Sequence, residues 1–235
     1  MPNKTKRVLA VLLALLTVAS LAFPVFAAGE GAGEPDLAAC LAEIKRILDG
    51  GKWTLQAKEN GADILLAADG DDVVAEMPID PAQPVTLNAT LQWLFQLVTG
   101  KNVRYLTLGG KLYQIFPDRF IREEISGGSM GTPPFVTYLQ ALLAQAEPAA
   151  GEETVDGVAY LTAAAQVETG REAIFYFQGG QLRRLVVKQN GAVVSTSEIQ
   201  SFRAGADAKL FSIKWMHSSL LLKVITFIIR TYPTY

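Results

Sequence analysis

Most of the chain reads as short apolar strands cut by two-residue turns. Trp53 to Glu59 meets Asn60-Gly61, Ala62 to Ala68 meets Asp69-Gly70, and Val73 to Met77 runs on to Pro78 and Pro81. Asn-Gly and Asp-Gly supply the positive φ that tight hairpin turns require. Asn102 to Leu108, Gly109-Gly110 and Lys111 to Phe116 predict another hairpin, with Phe120 to Ile125 as a short addition. The last third repeats the device. Val158 to Val167, Arg171 to Gln178, Gln181 to Gln189 and Ala192 to Arg203 are separated by Thr169-Gly170, Gly179-Gly180 and Asn190-Gly191. Sequential strands with such turns form an antiparallel meander.

Three segments switch to a helical period. Leu37, Cys40, Leu41, Ile44 and Leu48 make one apolar stripe, so a helix is predicted over 35–49, with Pro35 in its first turn and Gly50-Gly51 as its stop. Burying each stripe residue contributes on the order of 1.5–3 kcal/mol. Leu87, Leu91, Leu94, Phe95 and Val98 predict a second helix over Thr86 to Thr99, stopped by Gly100. Phe135, Leu139, Leu142 and Leu143 predict a third over Phe135 to Ala146. A glycine-rich flexible loop, Gly127 to Thr132, and Pro133-Pro134 lead into it, and Pro148 ends it. Each half of the chain is thus a helix followed by hairpin-linked strands, which suggests a loose internal duplication. The predicted class is α+β.

The first 27 residues follow a different rule. Lys4, Lys6 and Arg7 precede an uncharged apolar run from Val8 to Phe26, and Val25-Phe26-Ala27 offers small residues where a signal peptidase reads. A cleaved signal peptide is expected over 1–27 and a flexible linker over 28–35, which places the protein in a secreted or extracytoplasmic cell-envelope setting. The alternative is a membrane anchor left by an uncleaved signal, since about 20 apolar residues suffice to span. Residues 36–213 form the expected domain, and 214–235 an atypical apolar and basic tail.

Charge sharpens this picture. All 23 acids lie between residues 28 and 208, where only 14 bases accompany them, a net charge of −9 for the central domain. Nucleic acid is an unsuitable partner for such a surface, because its recognition rests on clustered Lys and Arg. The single cysteine rules out an internal disulfide. Leu37-Ala38-Ala39-Cys40 spells a bacterial lipobox, but Gly29 to Asp36, with three acids, separates it from the apolar run. Cys40 is read instead as a small core residue on the first helix.

Three stretches carry a family resemblance. Tyr105 to Pro117 runs from one strand through Gly109-Gly110 to Tyr113, Ile115-Phe116 and Pro117. Ile174 to Leu185 joins the aromatic strand Ile174-Phe175-Tyr176-Phe177 to the basic Arg183-Arg184 strand across Gly179-Gly180. Ala206 to Ile213 closes the domain. In these and in overall layout, residues 36–213 resemble the exported LolA/LolB-like lipoprotein-carrier superfold and related mycobacterial carriers. The resemblance implies a curved antiparallel sheet, an open half-barrel, with helices across its concave face and an apolar cavity for acyl chains or other greasy ligands. The strands at 111–116, 174–177 and 182–187 are apolar on both faces, so one face is expected to pack the helices and the other to line a pocket. The alternative is that the helices fill the concave face. No ligand-binding residue is singled out.

Reactive constellations are sparse. The lone histidine, His217, would have to serve any Ser-His-Asp or Cys-His site. Zinc would find one histidine and one cysteine far apart, and Gly128 to Gly131 lacks the Lys-Ser/Thr of a phosphate loop. Asp69, Asp71 and Asp72 look faintly like a calcium loop, but the ligand spacing and distal Glu are absent, so a solvated hairpin tip is expected. Asn88-Ala89-Thr90 matches a glycosylation sequon, but it falls on the second predicted helix of a chain with bacterial character and is discounted. No catalytic residue, metal site or cofactor is assigned. The sequence points to an exported, non-enzymatic carrier or sensor whose partner is an apolar or lipid-like ligand. The alternative is a structural or interaction module, with a filled core, whose partner is another envelope protein.

Overall fold

A computed structural model describes residues 36–79 and 99–220. The predicted signal peptide and linker, nearly all of the helix expected over Thr86 to Thr99 with its sequon, and the tail from residue 221 lie outside the described residues.

Among the described residues, eleven strands form one antiparallel sheet that does not close, giving a curved open half-barrel in an α+β fold. They are β1 (Lys52–Glu59), β2 (Ala62–Asp69), β3 (Asp72–Pro78), β4 (Asn102–Leu108), β5 (Lys111–Phe116), β6 (Ile121–Ile125), β7 (Ala149–Val155), β8 (Val158–Glu168), β9 (Arg171–Gln178), β10 (Gln181–Gln189) and β11 (Ala192–Ala204). Their spatial order is β6-β5-β4-β3-β2-β1-β11-β10-β9-β8-β7. Each half of the chain is therefore a meander, and the halves join where β1 pairs with β11. Leu55 stands opposite Phe202 and Ala57 opposite Ile199 there, with a bulge between Gln56 and Ala57. The predicted strand limits agree with these to within a residue or so. The exception is β7, whose sequence has no apolar alternation and whose side chains are nearly all exposed. It is a strand because the 11-residue β8 offers it a partner from Ala164 to Val158.

Helix α1 (Leu37–Asp49) starts slightly later than expected. Asp36 is its N-cap, its carboxylate accepting the Ala39 N–H at 2.8 Å. Gly51 leaves the helix at φ +66°. The buried stripe is Cys40, Ile44 and Ile47, while Leu37, Leu41 and Leu48 are only partly covered. Ile47 thus takes the inward place that periodicity gave to Leu48. Helix α2 (Pro134–Leu143) begins on proline, whose missing N–H costs nothing in a first turn, and buries Phe135, Val136, Leu139 and Leu142. It ends at Ala144, before Pro148 is reached. Both helices share one core with a single face of the sheet, against Leu55, Leu66, Phe175, Phe177, Leu185 and Ile199 among others. The chain must travel from the β6 edge to the β7 edge, and α2 lies on that path.

The opposite face is not bare. Ala67, Val74, Leu106, Tyr113 and Ile115 are covered there by Leu210, Phe211, Ile213 and Met216. This strap includes a short 3-10 turn, Ala208–Phe211, capped by Asp207. It continues to the β6 edge, where His217 pairs with Ile121 in a parallel bridge. There the His217 N–H donates to the Phe120 carbonyl at 2.9 Å, and the Arg122 N–H to the His217 carbonyl at 3.0 Å. Among the described residues, then, the start of the tail (214–220) serves as an edge cover, which shields unpaired strand groups from other chains.

Candidate functional site

A cavity of about 580 Å³ lies between the helix-bearing face and the segment that leads into α2. Its floor is the centre of the sheet: Leu55 and Ala57 of β1, Ile64 and Leu66 of β2, Ala75 and Met77 of β3, Leu185 and Val187 of β10. Its roof is Met130 to Phe135 with Tyr138. The cavity therefore opens where the two meanders meet, on the same face as the helices. The cavity lies on the face that packs the helices and not, as expected, on the opposite one, where the strap from residue 206 covers the β2 to β5 part of the sheet. The Gly127 to Thr132 loop, read from sequence as a flexible lead-in to the helix, supplies part of the wall. Gly127 turns at φ +68°, and the Gly128 N–H returns to the Ile125 carbonyl at 3.2 Å. This redirects the chain from the β6 edge inward.

One end of the cavity is polar. Glu59 is the last inward-facing position of β1, following Trp53, Leu55 and Ala57 at every second residue. Ser197 stands opposite it on β11, and the Ser195 hydroxyl donates to Glu59 Oε1 at 2.7 Å. Among the described residues no group bonds to Oε2. The hairpin next to Glu59 is pinned to β11 by two bonds: the Asn60 N–H donates to the Thr196 carbonyl at 2.9 Å, and the Thr196 N–H to Asn60 Oδ1 at 3.1 Å. Asn60 adopts φ +48° and Gly61 φ +87°, the left-handed pair a tight hairpin needs. Glu76 also borders the cavity, but it stands beside Leu65 in the ladder, on the opposite face. Its carboxylate meets the Arg104 guanidinium at 2.6 Å. Among the described residues no lysine or arginine lines the cavity.

Neither Glu59 nor the two serines was singled out from sequence. The usable signal was the strict alternation of β1, which forces a carboxylate onto the apolar face, and the alternation Ser195, Ser197, Ile199 in β11.

The reactive side chains are dispersed. Cys40 is 2 % exposed within α1, and burial, with Asp36 nearby, pushes its thiol upward from the ordinary range. His217 is exposed on the β6 edge, five strands from β1. The Asp69 to Asp72 tip does structural work: Asp69 pairs with Lys52 at 2.8 Å, and Asp72 Oδ1 accepts the Gly109 N–H at 2.9 Å. A second groove, about 660 Å³, runs between α1 and the β10–β11 end, but Glu43, Arg46, Arg183 and Arg203 give it mixed, charged walls. Among the described residues no group of three or more His, Cys, Asp or Glu could hold a metal ion, and no helix is long and apolar enough to cross a membrane.

On the outer face, Tyr176 is buried and donates to Glu153 Oε2 at 2.9 Å. Burial first, then the Glu153 carboxylate, raise its pKa to about 12, opposed by Arg184 over its ring.

No protein-family model matches the chain, and no curated protein does. Among solved structures, the chain is similar to an uncharacterized conserved protein from Thermus thermophilus, at 10% identity and a TM-score of 0.35 over 72% of this chain and 93% of that one. A superposition that loose carries nothing over to this chain.

Proposed function

We propose that the protein is an exported, non-enzymatic carrier or sensor that holds an apolar or lipid-like ligand between its curved sheet and α2. The observation that carries this reading is the cavity of about 580 Å³ with mainly apolar walls at the centre of the sheet. Ligand pockets fall in the range of roughly 300–1,000 Å³ and are lined mainly by apolar side chains with a few polar groups. An apolar void of about 150 Å³ already takes up benzene, so this one has room for a longer hydrocarbon. The dispersal of Cys40 and His217 supports a task done by shape rather than by reactive groups. Export rests on the leader-like first 27 residues, and the sequence resemblance to LolA/LolB-like carriers agrees with both points.

The test is native mass spectrometry and apolar-dye titration of the purified chain, with Ala75→Phe as the partner variant. Ala75 is buried and faces the cavity, so the larger ring fills the space that a ligand would use. Saturable dye binding, displaced by added hydrocarbon chains and lost in Ala75→Phe, supports the reading. A folded wild-type protein that binds neither dye nor lipid refutes it and favours the filled-core interaction module.

A further inference from the structure

We infer that this cavity selects an amphipathic ligand whose polar end donates hydrogen bonds and is best cationic, and that it turns away the anionic heads of fatty acids. The inference rests on reading the cavity as a ligand site and adds its chemical preference.

Of the polar side chains that reach the cavity from the sheet, Glu59, Ser195 and Ser197 cluster at one end and offer a bound chain a place for its head, while Tyr105 of β4 stands apart from them, its hydroxyl accepting from Gln114 at 3.3 Å. The acceptor there is a carboxylate. Glu59 takes one hydrogen bond, from Ser195, and among the described residues no group bonds to its second oxygen. Its inward register and the pinned Asn60-Gly61 hairpin hold it against the apolar floor. Among the described residues other charges do not cancel it. Glu76 is engaged by Arg104 on the far face, and Lys58, next in sequence, points outward and reaches Asp63 at 3.9 Å. The roof cannot supply a cation either, because no Lys or Arg occurs between Arg122 and Arg171. The same holds between Met77 and Lys101, the stretch that joins β3 to β4.

A carboxylate-headed ligand would therefore place like charges side by side at the edge of an apolar space, next to a half-buried carboxylate. An ammonium head would form a charge-assisted hydrogen bond to Oε2. An alcohol head would donate a neutral one.

The experiment uses the full chain and three probes of one chain length: dodecylamine, dodecanol and dodecanoate. Each displaces an apolar dye below its micelle-forming concentration. The amine is expected to bind at least about tenfold more tightly than the acid, the size of effect a hydrogen bond to a charged group supplies. Glu59→Gln should collapse that ratio by weakening the amine and strengthening the acid, with the alcohol little changed. Ser195→Ala, which frees the carboxylate from its holder without removing its charge, should keep the amine ahead. Asp71→Asn, at an exposed hairpin tip, should leave the ratio untouched and so separates Glu59 from the general acidity of the domain. Equal binding of amine and acid to the wild type, or an unchanged ratio in folded Glu59→Gln, overturns the inference while leaving the carrier reading in place. Failure of all three probes overturns both.

Discussion

Two leucine truncations that are chemically identical should differ in cost, because one borders the cavity and the other does not. Leu139 is fully buried in α2 and does not line the cavity, whereas Leu66 is 8 % exposed on β2 and does. Leu→Ala in a core costs roughly 2–5 kcal/mol. The low end is transfer of the lost methyl groups, and the remainder grows with the void left behind. Leu139 has packed neighbours all round, so its removal opens a new void and should cost about 4 kcal/mol. Leu66 already lacks neighbours on its cavity side and forfeits fewer contacts, so its removal should stay near ~2 kcal/mol. The gap of about 2 kcal/mol corresponds to a difference in Tm of about 4–8 °C for a domain of this size. Urea unfolding of delipidated protein, with m unchanged, measures it without any ligand. Equal destabilisation by Leu66→Ala and Leu139→Ala would mean that the floor of the sheet is packed solid, and the argument from shape would fail with it.

Three further outcomes are expected. Truncation after Ile213 should remove the β6 edge cover, with the His217 bonds and those of Ser218 and Ser219 to Glu123, at a cost of about 1–3 kcal/mol. An unchanged Tm together with unchanged exchange of the Arg122 amide would refute that role. Tyr176 holds its proton more tightly when folded, so its contribution is fully present below pH ~10, the unfolded value, and is lost as pH rises toward its folded pKa of about 12. Because the unfolded state loses that proton first, stability should fall across this window by on the order of 2 kcal/mol. Tyr176→Phe, followed by phenolate absorbance and alkaline unfolding, should abolish the step. Gly100→Ala should destabilise by about 1–3 kcal/mol in urea unfolding, since Gly100 sits at φ +79° and a Cβ there would meet Asp118 Cβ at 2.7 Å. A neutral result would show that the Asp118 side chain, which accepts the Lys101 N–H at 2.8 Å, gives way easily.

What the chain settles by itself is local. Asn60-Gly61, Gly109-Gly110, Gly179-Gly180 and Asn190-Gly191 announce their hairpins, because a two-residue turn depends on its own φ preferences and on little else. The α1 stripe was readable to within one residue, although Ile47 and not Leu48 points inward. That choice depends on where the helix axis lies against β1 and β11. Strand β7 was invisible for the same kind of reason: Ala149 to Val155 has no buried face of its own and is a strand through its neighbour. The pairing of β1 with β11 joins residues far apart in the chain, Glu59 with Ser197 and Trp53 with Ala204, and no local pattern encodes a partner at that distance. The cavity belongs wholly to the tertiary level, since an unfilled volume is the remainder after every side chain has been placed. Glu59 stands between the two levels. Alternation alone put a carboxylate on the apolar face of its strand, but only the assembled sheet and the roof from Met130 to Tyr138 made that face the wall of a chamber.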